Sequence, residues 1–400
     1  MTDSSILPPE LWLEVFDWVT CTPCSRSTSA YVPFQPIFSQ DKLHGGALQT
    51  IKSIYAVCKS WRALVQPLLY GDIHIHREGA EELQHALGCA QANSGRPKGE
   101  LVRRAVLPYS TTAATTSSRS DARYLDILKL CSRLEVLVRP PIFEPDFPTF
   151  DFETHMVPLP SLRRLDWYHI AEAERTGGIN SLGAVLRHTP NLRYLMIAGV
   201  TGLTRVCMDQ EPIRLAALET LRLNGVNGLL LHQMTRRWSL PKLARLILDT
   251  PVIDQLLAML CEAFGPQLTT LELGKHVRFL TADHISKCLK TCPDLAEINY
   301  HIFFTMPPRL EDGVTYPHLR TVGLDSCVNQ MLPSGGTVWD HLHQHFHTFS
   351  AGDRFPKLQR LVLYGDWKPI LEHPMFEPIR RQLSENKELE IVVRCGRNTL

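Results

Sequence analysis

The chain has 400 residues, 44% of them apolar and 21% charged, with a formal net charge of +1. That balance suits a globular chain and excludes the strongly basic surface that draws in nucleic acid or an acidic membrane. No basic segment with a long apolar run marks a secretory leader, and no apolar run spans a bilayer. The 11 cysteines then read as free thiols in a reducing compartment, cytoplasmic or nuclear.

The first element is LPPELWLEVF. Pro8 and Pro9 suit a first helical turn, and Glu10 suits its positive end. Leu11, Val15 and Val19 recur every four residues with Trp12 and Phe16 beside them, which predicts an amphipathic helix. Residues 20–47, rich in Ser, Thr, Pro and Gly, read as an inserted loop. LQTIKSIYAVCKSWRALVQPLLY follows as one apolar-periodic stretch, with Ile51, Ile54, Tyr55, Cys58, Trp61, Leu64 and Val65 on one face. Leu7, Pro8, Glu10, Leu11, Val15 and Phe16, then Val57, Cys58, Trp61 and Leu64, together resemble the F-box. The LLYGDIHIH that comes next is similar to the fungal F-box group. The resemblance implies that these residues dock on a Skp-type adaptor and, through it, a cullin ligase. Three short helices bury little on their own, so the alternative for the same residues is a cap on the fold behind them.

A strand predicted at GDIHIH turns Ile73 and Ile75 inward and leaves His74 and His76 on a solvated face. STTAATTSSRSD at 110–121 reads as a flexible loop. A repeat then runs from about residue 100 to 395. LPSLRRLDW, TPNLRYLMI, LAALETLRL, LPKLARLIL, GPQLTTLEL, CPDLAEINY, YPHLRTVGL and FPKLQRLVL each fit apolar-x-x-apolar-x-apolar. Their first apolar positions are Leu162, Leu192, Leu218, Leu243, Leu268, Leu295, Leu319 and Leu358. They recur about every 24–30 residues until a longer last interval. Weaker copies stand at Leu134 and Leu389, while LDILKL at 125–130 is out of register. All but one of the eight segments carry Pro two residues before the first Leu, which stops a helix and favours entry into an extended strand. Helical patterns lie between them, as in VIDQLLAMLCEAF and TADHISKCLKTC. This resembles the leucine-rich-repeat family, irregular because the usual Asn or Cys ladder is mostly missing. The expected fold is therefore α/β: a short N-terminal helical F-box over 1–70 with its loop at 20–47, a cap and first irregular repeat over 71–133, and a leucine-rich-repeat horseshoe solenoid over 134–400.

Chemistry is sparse. No phosphate-cradling glycine loop or nucleophile elbow occurs. Cys21 and Cys24 have metal-like spacing without a second pair nearby. His341, His343, His345 and His347 alternate in a segment that reads as helix, with Val338, Leu342, Phe346 and Phe349 as its apolar side and the histidines mostly on solvated faces. No catalytic residue, metal or cofactor is expected.

Strand alternation turns the leucines to the core and their neighbours to the opposite face. That face collects Arg164, Asp166, Tyr168, Tyr194, Arg222, Asn224, Arg245 and Asp249, leaning basic. It continues through Glu272, Glu297, Asn299, His301 and Asp325 to Arg360 and Tyr364, leaning acidic. Arg and Tyr often dominate interfaces, so a protein substrate is expected there. With this face, the F-box resemblance implies a non-catalytic substrate-recognition subunit of an SCF-type cullin-RING ubiquitin ligase. The alternative is a leucine-rich-repeat interaction scaffold outside any ligase, and neither nucleic acid nor membrane is an expected partner.

Overall fold

The computed structural model describes residues 7–20, 31–37 and 42–394, except 77–78, 92–94, 108–123, 142–155, 171–172, 175–176, 200–210, 327–335, 351 and 387. It divides into two compact units, one of residues 1–30 and 36–218, the other of residues 31–35 and 219–400. The boundaries expected at 70 and 133 both fall inside the first unit. The cysteine pair at 21 and 24 and the run at 110–121 lie outside the described residues.

The first unit opens with helices α1 (Pro9–Thr20), α2 (Lys42–Val57) and α3 (Lys59–Gly71). It continues through β1 (Asp72–His74), α4 (Ala80–Gly88), β2 (Arg104–Val106), α5 (Tyr124–Leu130), β3 (Val136–Arg139), β4 (Arg164–Tyr168), α6 (Leu182–Arg187) and β5 (Tyr194–Ala198). The second unit holds β6 (Thr220–Asn224), α7 (Gly228–Arg237), β7 (Arg245–Leu248), α8 (Asp254–Phe264), β8 (Thr270–Leu273), α9 (His284–Thr291) and β9 (Glu297–His301). It ends with β10 (Thr321–Asp325), α10 (Gly336–Ser350), β11 (Arg360–Tyr364), α11 (Lys368–Leu371), α12 (Glu377–Glu385) and β12 (Glu390–Arg394).

These strands belong to a 12-stranded, all-parallel sheet in sequence order. The expected leucine-rich-repeat horseshoe is thereby corrected to an α/β fold built on a parallel sheet and 12 helices among the described residues. The physical reason is that the sequence pattern specifies less than a solenoid. Apolar-x-x-apolar-x-apolar asks only for a strand buried on one face. Parallel neighbours need a crossover between them, and a β–α–β unit is itself about 30 residues long.

Each segment begins with a turn. Leu162 N–H donates to the Leu159 carbonyl (3.1 Å), and the same closure recurs at Leu192, Leu243, Leu268, Leu295 and Leu358. The repeated proline is the second residue of that turn, where its fixed φ is already correct. It therefore serves the turn rather than the strand entry expected of it. The first leucine drops into the core, and so do the strand residues three and five positions on. Leu243, Leu246, Leu268, Leu271 and Leu273 are all fully buried, with Leu248 almost so. Each contributes about 1.5–3 kcal/mol of hydrophobic stabilisation. LDILKL, out of register with the strands, forms most of α5.

α10 buries the apolar side expected of it, Leu342, Phe346 and Phe349, but buries His345 as well. His343 and His347 face solvent, but His345 is fully buried and His341 partly so. His345 Nε2 lies 3.1 Å from the Thr305 carbonyl and Nδ1 lies 2.9 Å from the Tyr300 hydroxyl. The carbonyl needs a donor, so Nε2 carries the proton and Nδ1 accepts from Tyr300. His341 Nε2 donates to the Ile302 carbonyl (2.7 Å), leaving the two rings in contact at 3.2 Å. Burial, with His341 alongside, holds His345 well below the usual imidazole range, and burial lowers His341 too. Tyr300 stays protonated, pushed up by its own burial and by the Asp283 carboxylate. Both histidines are thus neutral when folded but take up protons below pH ~6.5 when unfolded. Their contribution is complete above that pH and is lost as pH falls. Urea unfolding of the wild type and His345→Gln at pH 7.5 and 5.5 isolates this contribution: on going to pH 5.5 the wild type should lose about 1 kcal/mol more stability than the variant.

Candidate functional site

Two places gather the residues singled out by the sequence, one in each unit. In the first unit, Phe16, Ile51 and Val65 form the buried centre of α1–α3, with Trp12, Ile54, Tyr55, Trp61 and Leu64 packed on it. Trp12 and Trp61 stand 4.7 Å apart between ring centroids, and Phe16 meets Trp61 edge-on at 5.0 Å. The long apolar-periodic stretch is not one helix. Cys58 is extended, and its Sγ accepts from Trp61 N–H (3.4 Å), capping α3 where α2 has ended.

These contacts sort the adaptor-docking candidates. Phe16, Trp61 and Leu64 hold the helices together. Pro8, Glu10 and Cys58 are exposed, as are Leu7, Leu11, Val15 and Val57 at 42–60%. Leu13, Val19 and Trp18, the last 79% exposed, extend the apolar surface. An exposed concentration of large aliphatic and aromatic side chains is the usual mark of an interaction surface.

In the second unit, parallel register sets the polar residues in rows. Arg222, Ile247, Glu272, Asn299 and Gly323 stand side by side on successive strands. His301, Asp325 and Tyr364 form part of the next row. Arg222 grips Asp249 with two bonds of 2.7 Å. His301 Nδ1 lies 2.9 Å from an Asp325 carboxylate oxygen.

A segment of this unit distant in sequence lies on these rows. Tyr31 donates its hydroxyl to Glu272 (2.5 Å) and accepts from Asn299 Nδ2 (2.8 Å). Phe34 N–H donates to the same Glu272 oxygen at 3.1 Å. The Phe34 ring meets His301 at 4.8 Å and Tyr364 at 5.1 Å, both edge-on. Arg222 donates to the Gln35 carbonyl at 2.7 Å. Sequence reasoning placed these residues within a featureless loop. Its missed signal is YVPFQ, aromatic and proline side chains inside a Ser/Thr-rich stretch.

Electrostatics follow from burial. Glu272 is 2% exposed. Burial pushes its carboxyl up to about 7, against the downward pull of the Tyr31 hydroxyl and the Arg222 guanidinium. Burial and the same carboxylate push the Tyr31 phenol far above its ordinary value, so it keeps its proton and donates. Phe34 has φ 61°, the only left-handed non-glycine among the described residues. For a bulky side chain this costs about 1–3 kcal/mol, which the surrounding contacts must offset.

Of the other face candidates, Glu297 joins this cluster through Asn299 and Arg360 lines the cavity beside Tyr31, while the rest stand apart from it. In the first unit, Arg164 pairs with Asp166 at 3.0 Å and covers the Tyr194 ring at 4.5 Å, with Tyr168 half-buried at the end of β4. In the second, Arg245 donates to the Thr220 hydroxyl at 3.2 Å, Arg360 pairs with Glu390 at 3.1 Å, and Asn224 is half-buried at the end of β6. Glu297 accepts from Asn299 Nδ2 at 2.7 Å. Among the described residues no cluster of His, Cys, Asp or Glu could hold a metal ion, and no helix is long and apolar enough to cross a membrane. No family model matches the chain, and no curated protein matches it.

Gly323 supports the cluster from below. A Cβ there would meet Asn299 Cγ at 2.9 Å and Tyr364 Cε2 at 3.0 Å, and would overlap Asn299 Oδ1. Asn299 is fully buried and has no free room. Gly323→Ala should therefore lower stability by roughly 1–3 kcal/mol in chemical denaturation. It should also speed amide exchange across residues 31–35.

Proposed function

We propose that this chain is the substrate-recognition subunit of an SCF-type cullin-RING ubiquitin ligase. The first-unit helices dock on a Skp-type adaptor, and the polar sheet face of the second unit takes a protein substrate. The chain contributes no catalytic residue; it raises the effective concentration of its substrate beside the loaded conjugating enzyme. The observation that carries this reading is the division of labour in α1. Phe16 is buried against α2 and α3, while Leu11 and Val15, over 40% exposed, stay uncovered. A helix that only capped the fold would turn its aliphatic side chains toward what it caps.

Co-purification with the organism's Skp adaptor tests this. The full chain should retain the adaptor. Leu11→Asp with Val15→Asp should lose it while melting at an unchanged temperature, because neither side chain supports the helical core. Trp61→Ala should instead lower stability by about 3 kcal/mol. An adaptor that never binds, or one that binds the double variant equally, refutes the proposal.

A further inference from the structure

The segment on the second-unit sheet has the features of a bound ligand. It reaches the sheet across 187 to 268 positions of sequence. Every strong contact is made by a group that any peptide carrying the same few residues would offer: a phenol hydroxyl, a main-chain N–H, a main-chain carbonyl and one aromatic ring. Their receptors are complementary. The buried Glu272 accepts twice, Arg222 donates, and His301 with Tyr364 frames the ring. The site is also larger than its occupant. A cavity of about 490 Å³ opens beside Tyr31 and Pro33, with Glu297, Arg360 and Arg394 among its walls. Phe34 holds its place only in a left-handed backbone conformation, which an unconstrained ligand could avoid by presenting its ring from a different backbone geometry.

We propose that Tyr31–Gln35 is an exchangeable internal ligand, and that the site beneath it binds a peptide segment of another protein carrying a tyrosine three residues before an aromatic. The tyrosine hydroxyl of the partner bonds Glu272, its main-chain carbonyl bonds Arg222, and flanking polar residues enter the open cavity. The internal segment sets a threshold: a partner must outcompete a tethered copy at high effective concentration. This deepens the substrate half of the function proposed above and rests on it only in taking this face as the substrate site. It needs no adaptor.

The test is fluorescence polarisation of a labelled synthetic peptide, SAYVPFQPI, corresponding to residues 29–37. It uses the full chain and a Tyr31→Ala, Phe34→Ala variant whose fold is checked by melting. The variant should bind the peptide at least about tenfold more tightly than the wild type, since its internal competitor is weakened. A peptide with phenylalanine in place of the tyrosine, or the variant with Glu272→Ala added, should lose this gain. Equal weak binding by wild type and variant overturns the proposal. Should the double variant not fold, amide exchange of the wild type decides. Excess peptide should expose residues 31–35 to exchange, and unchanged protection overturns the exchange. Adaptor retention without peptide binding removes this inference alone; peptide binding without adaptor retention removes the ligase reading and leaves the site standing.

Discussion

In the second unit, much follows from one constraint, the in-register parallel pairing of leucine-bearing strands. Leu221, Leu246, Leu271 and Ile298 occupy one inward row, and Leu223, Leu248, Leu273 and Tyr300 the next. With those rows buried, residues between them must share the opposite face. Neighbouring strands lie about 4.8 Å apart, so polar side chains one strand apart are forced to find partners. Arg222 and Asp249 pair with each other. Glu272 has apolar Ile247 on one side and an amide on the other, and one of its carboxylate oxygens accepts from both Tyr31 and Phe34. A buried carboxylate without such donors would be costly. The seated segment therefore supplies the donors that the buried Glu272 needs.

The first unit shows a different division. In α1 the aromatic residues Trp12 and Phe16 turn inward, and the aliphatic residues Leu11 and Val15 turn out. Both sets recur every four residues, so both produce the same helical periodicity. The aromatic set suffices for cohesion because Trp12, Phe16 and Trp61 interlock within 6 Å, and such pairs add to simple burial. That leaves Leu11 and Val15 without a role in cohesion.

Strand positions were legible from the leucine pattern, and helices such as α8 and α9 from three-and-four spacing. Those signals are local. The fold was read too narrowly because strand period and β–α–β length coincide. Nearly all of the face residues were identifiable by alternation, but not their partners: nothing local to Glu272 announces Tyr31, more than two hundred positions away. His345 was misplaced because Leu342, Phe346 and Phe349 define an apolar side wide enough to include it. Only the Thr305 carbonyl and Tyr300 hydroxyl, supplied by other elements, make that burial tolerable. Cys58 was hidden for the opposite reason. An apolar residue at the right phase reads as helix interior, and its sulfur acts as a cap only because the chain there is extended.

The turn prolines have one more effect. Where the native φ already suits proline, the residue stabilises a fold mainly by narrowing the unfolded ensemble, by about 0.4–1 kcal/mol at each position. Pro160, Pro190, Pro241, Pro266, Pro293 and Pro356 meet that condition at the second position of closed turns. Part of this chain's resistance to unfolding therefore resides in conformations it never visits, and no inventory of native contacts would reveal it.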